Sequence, residues 1–303
     1  MRTIFLGLVM LLVALCPYSA LAGEYRVGLL MPLSGSKSNK GIPMKNAVEL
    51  FVERFNAAGG IRGNKIRLIV KDDFDDPDRA QAAAQEVVKD SQLLAVIGHY
   101  YSATAIGAVQ VYDKARIPCL SPNVSAPEVI SASRYMFTTN FQDDVQGGFM
   151  AVYLKEVMKK DNVFVVYTAD PFGRGLQEAF VKKAAAIGLS VVGVQPVDNS
   201  AVPADWAAKN LPDAAARDKI GAVAALMHSE SGLALLPQLR DAGVKSVVLA
   251  PNTWTNAAFL ALDEKYTSEV YVTSALLWEI ANERATAFSE EYLRRFGQPP
   301  PAA

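Results

Sequence analysis

The feature that most constrains the fold is a regular alternation of short apolar segments with amphipathic helical segments. In the first part of the chain, strands are predicted at residues 25–31, 65–71, 93–98 and 117–120, and helices at residues 42–58, 77–90 and 102–116. Parallel strands are buried on both faces and read as continuous apolar runs, and each needs a crossover to reach the next strand. The order therefore predicts a parallel sheet covered by helices on both faces.

A second series of the same kind follows a polar stretch at residues 138–144. Its strands are predicted at residues 162–167, 189–195, 220–227, 246–249 and 269–272, and its helices at residues 143–160, 172–187, 228–242 and 282–296. We therefore expect an α/β fold of two doubly wound parallel-sheet lobes joined by a hinge. Lobe 1 is expected to span residues 23–140 and lobe 2 residues 141–249, with residues 250–303 returning to lobe 1.

Residues 1–22 are predicted to be a targeting signal. Arg2 gives a positive start, residues 4–15 form an apolar run, and Ala20-Leu21-Ala22 is a small-x-small cleavage site. This layout is typical of a secretory signal peptide, and the run is shorter than the roughly 18 apolar residues of a membrane span. Lipid attachment at Cys16 is a weaker alternative, because Leu15 stands where a small residue is preferred. The mature protein is therefore expected in the periplasm.

Composition and motifs argue against several classes of function. The 30 basic and 31 acidic residues nearly balance, whereas nucleic-acid binding needs clustered Lys and Arg. Two Cys and two His do not support a disulfide framework or a zinc-based fold. The Ser-x-x-Lys pattern at residues 34–37 lies in a loop and lacks the partner motifs of β-lactamases. We expect no enzyme activity, no cofactor, no metal site and no nucleic-acid partner.

The strand-to-helix turns are the most informative places for function, because open α/β sheets bind ligands beyond the carboxyl ends of their strands. Ser102 stands at the start of a predicted helix, where free backbone N–H groups and the helix dipole can hold a carboxylate. Ser102 as an ordinary N-cap is the alternative. Ser125 lies in the next turn, and Phe172 places an aromatic ring at a third turn. Each of these residues also has a purely structural interpretation.

Five features in order resemble the solute-binding proteins of branched-chain amino-acid ABC transporters, the type I periplasmic binding family. They are residues 28–35, residues 56–63, Asp72-Asp73 with Asp76-Pro77, Gly98-His99 with Ser102, and Ser121-Pro122 with Ser125 and Pro127-Glu128. Residues 172–175 also resemble the family's aromatic-Gly-x-Gly turn. The resemblance covers the chain from about residue 25 to the end.

The resemblance implies two lobes that close on one small molecule and deliver it to an ABC permease of the inner membrane. Ser102, Asn123 and Ser125 match the groups that hold the ligand carboxylate in amino-acid-binding members. Phe172 matches the aromatic residue of the second lobe, and His228 falls near another second-lobe contact. A monomeric receptor for an amino acid or a related carboxylate is expected. A ligand-sensing receptor that signals to a membrane partner is the alternative, since both roles use the same pocket.

Departures from the family bear on the ligand. Leucine-binding members carry two Cys where this chain has Asp75 and Tyr101, and a Tyr in the first loop where it has Lys40. Tyr101, Lys40 and Asn252 join the five residues above as predicted ligand-binding residues. Asn252 occupies the place of the Glu that pairs with the ligand ammonium, and an unpaired buried ammonium is costly. Three possibilities stay open, because Glu230 or Asp144 could replace that Glu, or the ligand could be an acid or amide without an ammonium. Lys40 and His228 favour an anionic or aromatic carboxylate, but an amino acid is the preferred interpretation.

A last departure concerns length. The family continues for several dozen residues past a segment like residues 296–299, whereas this chain stops at Ala303. The first lobe is therefore expected to be incomplete, with a shallow or early transition in a urea titration.

Overall fold

The computed structural model describes residues 23–198, 202–274 and 282–300. The predicted signal peptide at residues 1–22, with the lipid-anchor alternative at Cys16, lies outside the described residues. Within these ranges, no helix has the length and apolar character needed to cross a membrane.

The first lobe is a parallel five-stranded sheet in the order β2-β1-β3-β4-β5. Its strands are β1 (Glu24–Met31), β2 (Lys65–Asp72), β3 (Leu93–Gly98), β4 (Cys119–Ser121) and β5 (Met136–Thr138). Its helices are α1 (Ser38–Ala57), α2 (Pro77–Val87), α3 (Ser102–Ala115) and α4 (Pro127–Ser131). Cys119, at the start of β4, is fully buried. The predicted alternation of strands and helices is confirmed, whereas β5 and α4 were not predicted.

The second lobe is a parallel five-stranded sheet in the order β10-β9-β8-β6-β7. Its strands are β6 (Asn162–Thr168), β7 (Ser190–Val197), β8 (Ala222–Leu226), β9 (Val247–Ala250) and β10 (Val270–Val272). Its helices are α5 (Asp143–Val152), α6 (Pro171–Ala186), α7 (Trp206–Asn210), α8 (Ala214–Arg217), α9 (Ser229–Asp241), α10 (Ala257–Leu260) and α11 (Glu264–Thr267). Two parallel-sheet α/β lobes therefore confirm the expected fold class.

The central strand β6 shows why this sheet needs helices on both sides. Val163 and Val165 pack into the core on one face, while Phe164 and Val166 pack into the core on the other. Side chains of a strand alternate between faces, so a continuous apolar run is buried only when both faces are covered.

The chain after residue 250 divides between the lobes. Strand β10 hydrogen-bonds to β9 in the second sheet, so the expected return of residues 250–303 to lobe 1 needs correction up to residue 272. Helix α12 (Glu283–Phe296) contacts α1 of the first lobe, where Tyr292 donates a hydrogen bond to the Pro43 carbonyl at 3.0 Å. The remaining division into a signal peptide, lobe 1 and lobe 2 stays a proposal.

Helix starts and helix packing follow from local sequence. Asp76 caps α2 by accepting a hydrogen bond from the Arg79 N–H at 2.9 Å, and a proline follows the cap, which suits the first helical position.

Helix α5 was predicted to run to residue 160, but its α-helical part ends at Val152, and a π-helical turn spans Tyr153–Val157. At Gly147, α5 approaches α6 so closely that a Cβ atom would lie 2.6 Å from the Leu176 carbonyl oxygen.

Candidate ligand-binding site

A nearly filled cavity, with about 10 Å³ of free space, lies between the two lobes, beyond the carboxyl ends of their strands. Its wall consists of Tyr100, Tyr101, Ser102, Asn123, Ser125, Asn140, Phe172, His228 and Thr253. The structure thus brings together six of the eight residues predicted to bind ligand, four of which follow the carboxyl ends of β3 and β4. This placement agrees with the expectation for open α/β sheets.

Ser102 is the first residue of α3, and its side chain is almost fully buried. The N-cap position belongs to Tyr101, so the alternative that Ser102 is the N-cap was wrong. The Ser102 hydroxyl oxygen instead accepts long hydrogen bonds from the N–H groups of Ser125 (3.4 Å) and Ala126 (3.3 Å). The Ser102 hydroxyl and two backbone N–H groups of the next turn therefore meet at a helix N-terminus, where the dipole favours an anion.

The loop that carries Asn123 and Ser125 is held in place by hydrogen bonds of the Ser121 hydroxyl. The Ser121 hydroxyl donates to the His99 carbonyl at 2.7 Å and accepts from the N–H groups of Asn123 (3.1 Å) and Val124 (2.8 Å). The Asn123 amide donates to the Tyr100 carbonyl at 3.1 Å. These bonds tie the loop to the turn after β3, so both turns keep one relative position.

Beneath this loop, His99, Asp73 and Tyr112 form a fully buried network. Nδ1 of His99 lies 2.7 Å from Asp73 Oδ2, and Nε2 lies 2.9 Å from the Tyr112 hydroxyl. Burial raises the pKa of Tyr112 well above its ordinary value, so the phenol keeps its proton and donates to Nε2. His99 then donates Nδ1–H to Asp73. From the sequence, Asp73 and His99 were noted only as parts of two family-like motifs, and neither was given a partner.

The second lobe contributes Phe172 and His228 to the wall. Their rings stack with centroids 4.5 Å apart and planes inclined by 25°. Nε2 of His228 lies 3.1 Å from Asp170, which also caps α6 through the Gly173 N–H at 2.7 Å. Burial alone raises the pKa of Asp170, but the hydrogen bond and charge of His228, the Gly173 N–H and the Thr168 hydroxyl outweigh it. The net effect is a lowered pKa, so Asp170 is ionised and orients the imidazole.

Two contacts join the lobes at the cavity, and Lys37 also lies over a ring of its own lobe. Tyr101 of the first lobe meets His228 of the second edge to face, with ring centroids 5.2 Å apart. Nζ of Lys37 lies 3.6 Å from Glu230 and 5.1 Å from the centroid of the Tyr101 ring. Burial raises the pKa of Glu230, but the Lys37 charge is among the effects that lower it overall. The two lobes therefore touch through aromatic rings and one ion pair.

Lys40 and Asn252, the other two predicted binding residues, lie outside the cavity wall. Lys40 is half-buried near the start of α1, and its charge reaches Glu230. Asn252 is buried, and its side-chain oxygen accepts a hydrogen bond from Gln146 at 3.1 Å. Sequence reasoning missed Tyr100, Asn140 and Thr253. Thr253 was accessible to the same rule that found Ser102, since it follows the carboxyl end of β9.

Asp143, where the chain enters α5, lies behind Ser125. Its N–H donates to the Ser125 carbonyl at 3.0 Å, while its carboxyl group is fully buried, and neither oxygen has a hydrogen-bond partner among the described residues. Burial raises the pKa of Asp143 well above its ordinary value. The nearby Ser125 hydroxyl offsets part of this, and the charge of Asp170 adds to it.

Asp143→Asn should therefore stabilise the protein at pH 8 and have no effect near pH 4. A carboxyl whose folded-state pKa is raised gives its full stability below its unfolded pKa and loses it as pH rises through the folded pKa. Relief of the buried charge is expected to add about 2 kcal/mol to the unfolding free energy at pH 8. Urea titrations at both pH values measure this, with the exposed Asp144→Asn as control. Destabilisation at pH 8 would contradict the expectation.

A family model described as periplasmic binding protein matches residues 24–303. An amino acid binding protein of Pseudomonas aeruginosa is 34% identical over 154 residues, which cover 50% of this chain and 41% of that protein. Leu/Ile/Val-binding protein homolog 1 of Brucella abortus is 29% identical over 250 residues, or 81% of this chain and 65% of that protein. The chain thus spans less than two thirds of these relatives.

A solved structure with the same architecture is an ABC transporter substrate-binding protein from Desulfitobacterium hafniense in complex with Leu. It aligns with a TM-score of 0.77 at 25% identity, covering 92% of this chain and 79% of that one. LivJ of Streptococcus pneumoniae, a branched-chain amino acid transporter substrate-binding protein in complex with isoleucine, has a TM-score of 0.75 at 22% identity and covers 91% and 78%. The second similarity concerns the fold alone.

Proposed function

Because the chain belongs to the periplasmic binding protein family, in its branched-chain amino-acid branch, we propose that it captures a small carboxylate-bearing solute in the periplasm. The relatives named above are amino-acid binding proteins and substrate-binding proteins of ABC transporters. We propose that this chain likewise presents its solute to a membrane permease and catalyses no reaction itself.

One observation carries the proposal. The Ser102 hydroxyl and the Ser125 N–H meet at the N-terminus of α3, and the cavity lined by these residues is also lined by the stacked pair Phe172 and His228. The first lobe thus offers hydrogen-bond donors suited to an anion, and the second lobe offers an aromatic surface. A charge-assisted hydrogen bond is about twice as strong as a neutral one, so the first lobe would bind the carboxylate before closure.

Closure then follows from the division of contacts between lobes. A solute held by Ser102 and Ser125 adds a surface on which Phe172 and His228 can pack, so the bound form favours the closed arrangement. A permease that binds only the closed arrangement would distinguish loaded from empty receptor. In this scheme the Lys37–Glu230 pair forms on closure, and the bound solute separates Tyr101 from His228, whose rings otherwise meet.

Ser102→Ala should weaken solute binding about 10- to 100-fold, because it removes a hydrogen bond to a charged group at a buried position. Isothermal titration calorimetry of the full chain with L-leucine and with 3-phenylpropanoate measures the loss for whichever compound binds.

Ser131→Ala is the matched control, since Ser131 is exposed on α4 of the same lobe. It should leave the dissociation constant unchanged. A dissociation constant for Ser102→Ala within twofold of the unmodified chain would reject the carboxylate role of Ser102.

A further inference from the structure

Four aromatic rings line the cavity, two from each lobe. Tyr100 and Tyr101 meet edge to face with centroids 4.7 Å apart, and Tyr101 in turn meets His228, which stacks on Phe172. Aromatic pairs gain energy from offset stacking and edge-to-face contact beyond the area that they bury. When the lobes separate, a flat ring can replace the Tyr101–His228 contact and lie between Tyr101 and the Phe172–His228 pair. Such a ring can make both kinds of contact, whereas a branched aliphatic chain makes neither.

The carboxylate of Asp170, beside His228, already has hydrogen-bond partners at both of its oxygens. The Asp170 carboxylate accepts from Gly173 N–H and Thr168 hydroxyl with one oxygen, and its other oxygen lies 3.1 Å from His228 Nε2. An ammonium group on the ligand would have to replace the imidazole as the partner of Asp170. That exchange would also release the ring that Phe172 stacks on.

The other acidic side chains near the cavity are also poorly placed to pair with a ligand ammonium. Glu230 pairs with Lys37 at 3.6 Å, and Asp75 accepts a hydrogen bond from the Thr104 hydroxyl at 2.7 Å. Asp143 is fully buried behind Ser125, and Asp144 is exposed. The side chain at position 252 is an amide that is bonded to Gln146. Glu230 and Asp75 therefore serve protein contacts and Asp144 faces solvent, while burial raises the pKa of Asp143 and so favours its neutral form, which does not pair with an ammonium.

Tyr101 adds a further recognition group. Its ring is 93% buried, and its phenol oxygen has no hydrogen-bond partner among the described residues. Burial raises the pKa of this phenol, so it stays protonated and can donate to a ligand oxygen. A buried donor without a partner costs free energy that a suitable ligand would recover.

From these contacts we infer that the solute is an aromatic carboxylate without an ammonium group, held by Ser102 and Ser125 at its carboxylate and between Tyr101 and the Phe172–His228 pair at its ring. This inference rests on the proposed function and narrows it. A buried ammonium without a carboxylate partner is unfavourable, while a neutral ring in an aromatic pocket is favoured.

Four compounds separate the two parts of the inference. L-Phenylalanine and 3-phenylpropanoate differ only by the ammonium group, and L-leucine and 4-methylpentanoate form the matching aliphatic pair. In calorimetric titrations of the full chain, 3-phenylpropanoate should bind at least about tenfold tighter than each of the other three.

The outcomes are distinct. If L-leucine or L-phenylalanine binds tighter than its ammonium-free counterpart, the inference is overturned and the proposed function stands. If 4-methylpentanoate binds as tightly as 3-phenylpropanoate, the aromatic part is overturned. If none of the four compounds binds, both the inference and the proposed carboxylate site are overturned.

Phe172→Leu tests the ring contact in the protein. It should weaken 3-phenylpropanoate about tenfold and 4-methylpentanoate less than threefold, because the loss is specific to ring stacking. Phe149→Leu, at an exposed position on α5, is the matched control and should change neither affinity. Equal losses for both compounds with Phe172→Leu would contradict the stacking role. The four-compound series on the unmodified chain decides the inference even if Phe172→Leu folds poorly.

Discussion

Replacing His99 with leucine should lower the free energy of unfolding by about 3–5 kcal/mol, because it leaves the Asp73 carboxylate buried without its imidazole partner. The substitution also removes the acceptor of the Tyr112 hydroxyl, which lies 2.9 Å from Nε2. All three side chains are fully buried, so water cannot take the place of the lost partner without opening the core. Urea unfolding at pH 7 measures the loss.

A double variant tests whether the uncompensated charge is the cause. His99→Leu combined with Asp73→Leu should be less destabilising than the sum of the two single changes, since no buried carboxylate remains. Additive losses would show that the pair is not energetically coupled. A loss below about 1 kcal/mol for His99→Leu alone would contradict the buried-charge explanation.

Replacing Gly147 with alanine should destabilise the second lobe by about 2–3 kcal/mol through overpacking. The added Cβ would lie 2.6 Å from the Leu176 carbonyl oxygen and 3.0 Å from Ala179 Cβ, so α5 would have to move away from α6. Backbone carbonyls cannot turn aside as a flexible side chain can. Urea unfolding followed by circular dichroism measures this change.

The adjacent residue provides a matched control for the Gly147 variant. At Gly148, in the same helix, the nearest atom to an added Cβ is Lys183 Cγ at 4.0 Å. Gly148→Ala should therefore stabilise the protein by about 0.5–1 kcal/mol, because alanine has the higher helix propensity. Equal effects at the two positions would mean that the close approach of α5 and α6 does not exist in solution.

The parallel sheets were predictable because their central strands are buried on both faces and read as continuous apolar runs. Residues 162–168 carry this signal most clearly, and residues 93–98 carry it although Leu94 is exposed. Strand β5 was missed because it has three residues, of which Phe137 is exposed, so no run or alternation marks it. Helix α5 gave no sign of its change to π-helical geometry after Val152, since the same apolar spacing continues.

Some residues of the candidate site were predictable from the sequence, and some of its contacts were not. Ser102, Ser125, Phe172 and His228 were found because a general rule places ligand contacts just after strands. The Lys37–Glu230 pair and the His99–Asp73–Tyr112 network were not, because their members are distant in sequence and meet only through the tertiary fold. Local spacing also left two uses open for the Ser102 hydroxyl, and only the geometry showed that it faces Ser125 instead of capping α3.

The buried thiol of Cys119 gives this protein a built-in reporter of how often its first sheet opens. Cys119 is fully buried at the start of β4, its Sγ lies 3.1 Å from the Gly98 carbonyl, and burial raises its pKa. A thiol-modifying reagent therefore reacts with Cys119 only when β4 transiently separates from its neighbouring strands. Native-state labelling rates measured at Cys119 would then report the opening of the first sheet. Slower labelling in the presence of a bound solute would show how strongly binding stabilises that lobe.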